Sequence, residues 1–212
     1  MQRLIAFGCS NTVGEACDTN WPTQLSELLD VKCINLGKSG SSNRELWWNI
    51  INYNYELNDV VVVLWTFPNR DCIITNDNIE QLGDWHKNKT VARYMVETYD
   101  DFDRIIESHT YIQHANTLIK NIYNFACDEV SLIPYPRWQT IPILGNLQPI
   151  YENGDRGTDN IHPGAECHKQ FANYMLDKIQ KVKNKTIPNY YPKGIDRLSV
   201  NHYIKDEIFE SY

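Results

Sequence analysis

A three-layer α/β/α sandwich on a mainly parallel sheet is the fold class this sequence predicts. Short apolar runs ending in Gly or Pro recur along the chain, and segments with helical spacing separate them. Each crossover is long enough to return the next strand parallel to the last. With 212 residues and 42% hydrophobic composition, the chain suits a single sizeable core.

The elements follow in order. RLIAFG (3–8) is short, apolar and closed by Gly, a first buried strand. NWPTQLSELLD (20–30) puts Pro22 in a first helical turn, with Leu25, Leu28 and Leu29 at helical spacing. VKCINLG (31–37) alternates and closes on Gly, a second strand. SSNRELWWNIINYNYEL (41–57) predicts a helix with a Ser/Asn cap and Leu46, Trp47 and Ile50 on its apolar face. DVVVVLWTF (59–67) is the strongest strand signal, because a continuous β-branched run suits a central parallel strand covered on both faces. Pro68 stops it. Residues 71–90 are polar and read as an irregular excursion or lid. Residues 91–126 carry helical periodicity through Val91, Met95, Ile105, Ile112, Ile119 and Ile122, and predict one or two helices. DEVSLIPYP (128–136) reads as a fourth strand and 137–161 as a second long loop. AECHKQFANYMLDKIQKV (165–182) predicts an amphipathic helix led in by Pro163 and Gly164. The expected division is one domain over 1–183 and a C-terminal extension over 184–212.

Composition narrows the function classes. The formal net charge is -7 and the basic residues are scattered, so no nucleic-acid partner is expected. The longest apolar run, VVVVLW at 60–65, is far short of a membrane span. The start of the chain lacks the charged, apolar and cleavage regions of a signal peptide. The protein is expected in a cytoplasm or released by lysis, and its composition has the character of a phage-encoded protein. The 6 cysteines are spread out with no CxxC pair, and are expected as free thiols.

In an open parallel sheet, ligand sites form beyond the carboxyl ends of the strands. The first strand is followed by Gly8-Cys9-Ser10-Asn11-Thr12, the second by NLGKSGSSN (35–43) and the third by TFPNRD (66–71). DNIHP (159–163) stands just before the last helix. A hydroxyl nucleophile, a Gly-rich turn, an amide and an Asp-x-x-His pair would converge on one edge. GKS at 37–39 is no phosphate loop, since Lys32 stands where that pattern needs its first Gly. His162 and His168 would lie nearly opposite each other on a helix, so no metal site is expected. No cofactor is expected.

These four blocks resemble those of the SGNH (GDSL-type) hydrolases. The family's Gly-Asp-Ser block is matched by GCSNTVG, its Asn-x-Gly-x-x-Gly block by NLGKSG with Gly40, its Asn block by Asn69, and its Asp-x-x-His block by Asp159 to His162. The resemblance spans about residues 3–180 and implies the flavodoxin-like fold of that family. It further implies a serine esterase in which Ser10 attacks an acyl ester, His162 serves as base and then acid, and Asp159 orients the imidazole. The implied oxyanion donors are the Ser10 and Gly40 N–H groups and the Asn69 amide, each such donor being worth ~3 kcal/mol in the barrier. A small-molecule or glycan ester is the implied substrate, with O-acetyl on a carbohydrate preferred. Trp85 and Trp138, in the two long loops, and Arg70 are candidate substrate contacts.

The sequence departs from the family pattern twice. Cys9 stands where Asp is usual, so another local bond must fix that loop. Pro68 and Arg70 flank Asn69 where the family commonly has Gly-x-Asn-Asp. A non-catalytic binding or structural protein on the same fold, and an acyltransferase with the same residues, remain open alternatives.

Overall fold

The computed structural model describes residues 2–83, 85–98, 101–127 and 143–184, with the backbone only for 101–102. The core is a five-stranded sheet in the order β2-β1-β3-β6-β7. Its strands are β1 (Arg3–Phe7), β2 (Lys32–Asn35), β3 (Val60–Trp65), β6 (Ile122–Ala126) and β7 (Ile143–Asn146). Every pairing within it is parallel. The chain leaves β1 toward β2 and then crosses to the other side at β3. The strand order therefore reverses between β1 and β3, where doubly wound sheets open a crevice.

Side chains of β1 and β3 alternate between two apolar layers. Leu4, Ala6, Val60, Val62 and Leu64 face one, with Trp21 and Leu25 of α2 (Trp21–Leu29) and Phe171 and Met175 of α7 (Ala165–Lys183). Ile5, Phe7, Val61, Val63 and Trp65 face the other, with Leu46 and Ile50 of α3 (Asn43–Asn52) and Ile112 of α5 (Asp101–Leu118). Every β3 side chain is buried, as the unbroken β-branched run requires. Each buried Val or Leu contributes roughly 1.5–3 kcal/mol relative to exposure. Both helix starts are capped: Asn20 Oδ1 accepts from Thr23 N at 3.0 Å, and Ser42 Oγ, in the Ser/Asn cap the sequence predicts, accepts from Glu45 N at 3.2 Å.

The amino end of the sheet is closed by an ion cluster. Arg3 Nε and Nη2 donate to Asp59 Oδ1 and Oδ2 at 2.8 and 2.6 Å, and Arg3 Nη1 lies 2.7 Å from Glu56 Oε1. The Arg3 hydrogen bonds hold the Asp59 carboxyl below the usual carboxylate range.

Three expectations are corrected. Residues 122–126, at the end of the stretch that carried helical spacing, form the core strand β6, and the strand expected over 128–136 lies outside the described residues. Ile119 and Ile122 fit a helical face, but the helix ends at Leu118 and IYNFA enters the sheet with every residue buried. A strand covered on both faces shows no alternation, so periodicity could not separate the two forms. The excursion at 71–90 is ordered as an antiparallel hairpin, β4 (Asp71–Ile74) with β5 (Ile79–Leu82), leading to α4 (Lys89–Thr98). The segment 137–161, read as a loop, holds β7 and α6 (Gln148–Asn153).

Candidate active site

Ser10 opens a single-turn helix, α1 (Ser10–Val13), at the carboxyl end of β1. It is buried, with 6% of its surface exposed. Thr12 and Val13 N–H donate to the Cys9 carbonyl at 2.9 and 3.1 Å, and Gly14 N–H to the Ser10 carbonyl at 3.0 Å. The Ser10 N–H itself is a first-turn donor with no intrahelical acceptor. The block after β2 holds this turn from the side. Asn35 Nδ2 donates to the Thr12 carbonyl at 2.8 Å, and Lys38 N–H to the Gly8 carbonyl at 3.0 Å.

Cys9, the departure from the family pattern, is wholly buried beside Cys127 at the far end of β6. A hydrogen bond from the Cys127 thiol holds the Cys9 thiol below its usual range against the opposing effect of burial. The Arg70 charge and a Thr66 hydrogen bond act with it. Asn11 Nδ2 contacts Cys127 Sγ at 3.8 Å. The Cys9 and Cys127 thiols thus meet across β3, directly before Ser10. All 6 cysteines are free.

Asp159 and His162 sit on the loop before α7. Asp159 Oδ1 accepts from the Ile161 and His162 N–H groups at 2.9 and 3.0 Å, and Oδ2 lies 2.5 Å from His162 Nδ1. The side-chain bond to His162, followed by these N–H bonds, holds the Asp159 carboxyl well below the usual range. With Nδ1–H donating to Asp159 Oδ2, the Nε2 lone pair is available to act as a base. Nε2 is 3.8 Å from Glu15 Oε2, an atom that also accepts from Ser39 Oγ at 2.5 Å. Glu15 thereby links the Ser10 turn, the Gly-rich turn and the histidine.

The two loops are joined by backbone. Thr158 N–H donates to the Ala16 carbonyl at 2.9 Å, and a Cβ on Gly157 would stand 2.5 Å from that oxygen. Only glycine allows this approach. The base of the loop is tied to α7 by Asp155, whose Oδ1 accepts from Cys167 N–H at 2.6 Å. Among the described residues, no hydrogen bond joins the Ser10 hydroxyl to His162, whose Nε2 faces Glu15 instead.

The remaining candidates separate. Gly40 has φ +78, and a Cβ there would stand 2.6 Å from Gln81 Oε1 of the β4–β5 hairpin. Gln81 Nε2 in turn donates to the Ser39 carbonyl at 2.9 Å, so the hairpin shapes the Gly40 turn. Asn69 lies exposed in the turn after β3, with no hydrogen bond to its amide among the described residues. Arg70 Nη1 donates to Thr66 Oγ1 at 3.1 Å, and its guanidinium lies over Phe67 and Trp85, 5.1 and 5.2 Å from their ring centres. Trp85 is exposed, and Trp138 lies outside the described residues. Among the described residues, no group of three or more His, Cys, Asp or Glu could hold a metal ion, and no helix is long and apolar enough to cross a membrane.

The sequence does not single out Glu15, Asp155 or Gln81. One further histidine stands close by. His168 on α7 is fully buried, and neither ring nitrogen has a hydrogen-bond partner among the described residues. Burial pushes it down to about 4, with Asp155 opposing and His162 adding to the effect.

No family model matches the sequence, and no curated protein matches it. Solved structures do match. A variant of an acetyl-xylooligosaccharide esterase from Geobacillus stearothermophilus superposes with a TM-score of 0.56 at 14% identity, over 84% of this chain and 93% of that one. The acetylxylan esterase of Geobacillus stearothermophilus gives 0.54 at 15%, over 84% and 93%. An alpha/beta hydrolase enzyme from the metagenome of Lake Arreo, Spain, gives 0.53 at 15%, over 84% and 94%. The resemblance carried by the four sequence blocks therefore holds at the level of the fold, and the chain has the three-layer architecture of these esterases.

Proposed function

We propose that the chain is a serine esterase of SGNH type, its working unit lying within residues 1–183. The observation that carries this reading is the Asp159–His162 couple, held at 2.5 Å on a loop hydrogen-bonded to the turn that bears Ser10. Ser10 Oγ attacks the ester carbonyl while His162 Nε2 takes its proton, and Asp159 keeps the other ring nitrogen protonated. The tetrahedral oxyanion is met by the Ser10 and Gly40 N–H groups, with Asn69 as the third donor. Collapse expels the alcohol, which receives the proton from His162. Water then attacks the acyl-Ser10 ester by the same route in reverse, releasing the acid and restoring the hydroxyl. Asp159 and Glu15 flank the imidazolium formed in both steps, and their charges attract it. The reaction needs no metal or organic cofactor. A small acyl group, such as acetyl on a carbohydrate, is the proposed substrate. The acetylxylan esterases among the similar structures support it, as does the exposed ring of Trp85.

A second reading, a non-catalytic protein on the same fold, is favoured by one observation: His162 Nε2 faces Glu15 rather than Ser10. Fluorophosphonate labelling with 4-nitrophenyl acetate hydrolysis separates the two. The wild type should label and turn over, and Ser10→Ala should do neither. An unlabelled, inactive wild type would sink the esterase reading.

A further inference from the structure

We propose that Arg70 forms a carboxylate-binding subsite beside Ser10, so that the substrate is an ester carrying its own carboxylate. The inference rests on the esterase reading and names its substrate class.

Arg70 stands at the right end of the sheet. Phe7 pairs with Val63, so the chain just beyond β3 at Thr66 runs level with Ser10 beyond β1. Thr66 is buried and accepts from Arg70 Nη1 at 3.1 Å, which ties the guanidinium to that edge. The Arg70 charge also acts on Cys9, the residue before Ser10. Two rings, Phe67 at 5.1 Å and Trp85 at 5.2 Å, hold the guanidinium plane.

Among the described residues no carboxylate pairs with Arg70, although the chain carries 27 acidic residues against 20 basic ones. The adjacent carboxylate, Asp71, is committed elsewhere: Oδ2 accepts from Arg104 Nη1 at 2.7 Å, and Oδ1 lies 3.9 Å from Arg44. Arg70 Nε and Nη2 have no acceptor among the described residues. A half-buried guanidinium with its plane fixed and a free pair of donors is suited to grip a carboxylate with two parallel hydrogen bonds.

The carboxylate could sit on the alcohol or on the acyl side of the ester, and two probes distinguish these. 4-Acetoxybenzoate carries it on the alcohol, with neutral 4-acetoxybenzamide as reference. Phenyl hemisuccinate carries it on the acyl group, with phenyl butyrate as reference. For one pair, the ratio of kcat/KM for the anionic to the neutral ester should fall roughly tenfold or more in Arg70→Gln, the loss coming from KM, with partial recovery in Arg70→Lys. Ratios unchanged in both pairs would overturn the subsite, including the case where Arg70 assists the oxyanion and all esters slow alike. A readout without turnover keeps this independent of the esterase reading. In Ser10→Ala, 4-hydroxybenzoate and succinate are titrated by calorimetry, and one should bind at least about tenfold tighter than in Ser10→Ala/Arg70→Gln. Equal or absent binding in the two proteins would overturn the subsite even if the esterase reaction is confirmed.

Discussion

At the amino end of the sheet Arg3 meets two carboxylates, and at the carboxyl end Arg70 meets none among the described residues. Both arginines flank central strands of the same sheet. Arg3 is bonded through three nitrogens to Asp59 and Glu56, so its charge is spent on closing the fold. Arg70 is held by a hydroxyl and two rings, contacts that fix its plane and leave its charge standing. The carboxyl end also gathers the polar groups that the fold does not consume: the Ser10 hydroxyl, the Gly40 turn and the His162 Nε2 face. In a parallel sheet the strands all end there, so loops distant in sequence are brought together and their polar atoms need not pair with the core.

The largest effect should come from Asp159→Asn. Losing the carboxylate that keeps Nδ1 protonated should cut ester hydrolysis by about 10⁴-fold while the thermal midpoint stays close to wild type. A variant that keeps a tenth of the activity would break the division between a working end and a structural end. Gly157→Val should come next. Its side chain would press on the Ala16 carbonyl and part the two loops, so kcat/KM should fall roughly 10²-fold, with a smaller change in stability. Wild-type kinetics in that variant would show that the loop junction does not set the geometry.

His168 sharpens the comparison from the stability side. Its folded pKa, about 4, is below the ordinary 6.5, so between these values the unfolded chain binds more protons than the folded one. Its neutral form therefore favours folding fully above pH 6.5, and this contribution is lost as pH falls toward 4. The loss should approach about 3 kcal/mol, and His168→Leu should remove that part of the pH dependence in denaturant titrations. Parallel curves for the two proteins would mean that His168 is solvated in the folded state. The smallest effect is a contrast in thermal midpoint. Arg3→Gln leaves Asp59 buried without its partner and should lower the midpoint more than Arg70→Gln does. The reverse order would assign Arg70 to the structure.

Local features were legible in the sequence where their cause is local. β1 and β3 announced themselves by unbroken apolar runs, and the start of α3 by the Ser/Asn run ahead of its apolar-periodic face. The three-residue spacing of Asp159 and His162 ahead of α7 was legible too, because so short a turn suffices to join that pair. β6 was not legible, since burial on both faces erases the period that would identify it. β4 and β5 were hidden by polar side chains, as a hairpin outside the main sheet has little apolar face to show.

The sequence by itself determined the layered class, the strands on either side of the crevice and the residue types at its edge, because period, caps and turn chemistry act over a few residues. The tertiary structure decided the pairings: the Cys9 thiol against Cys127 from across β3, Glu15 against His162, and Asp71 turned to Arg104 and away from its neighbour Arg70. Such contacts depend on strand order and on which loops meet, and chain spacing carries no record of that. That Arg70 meets no carboxylate among the described residues follows only once its neighbour's carboxylate has been taken by a helix more than thirty residues away.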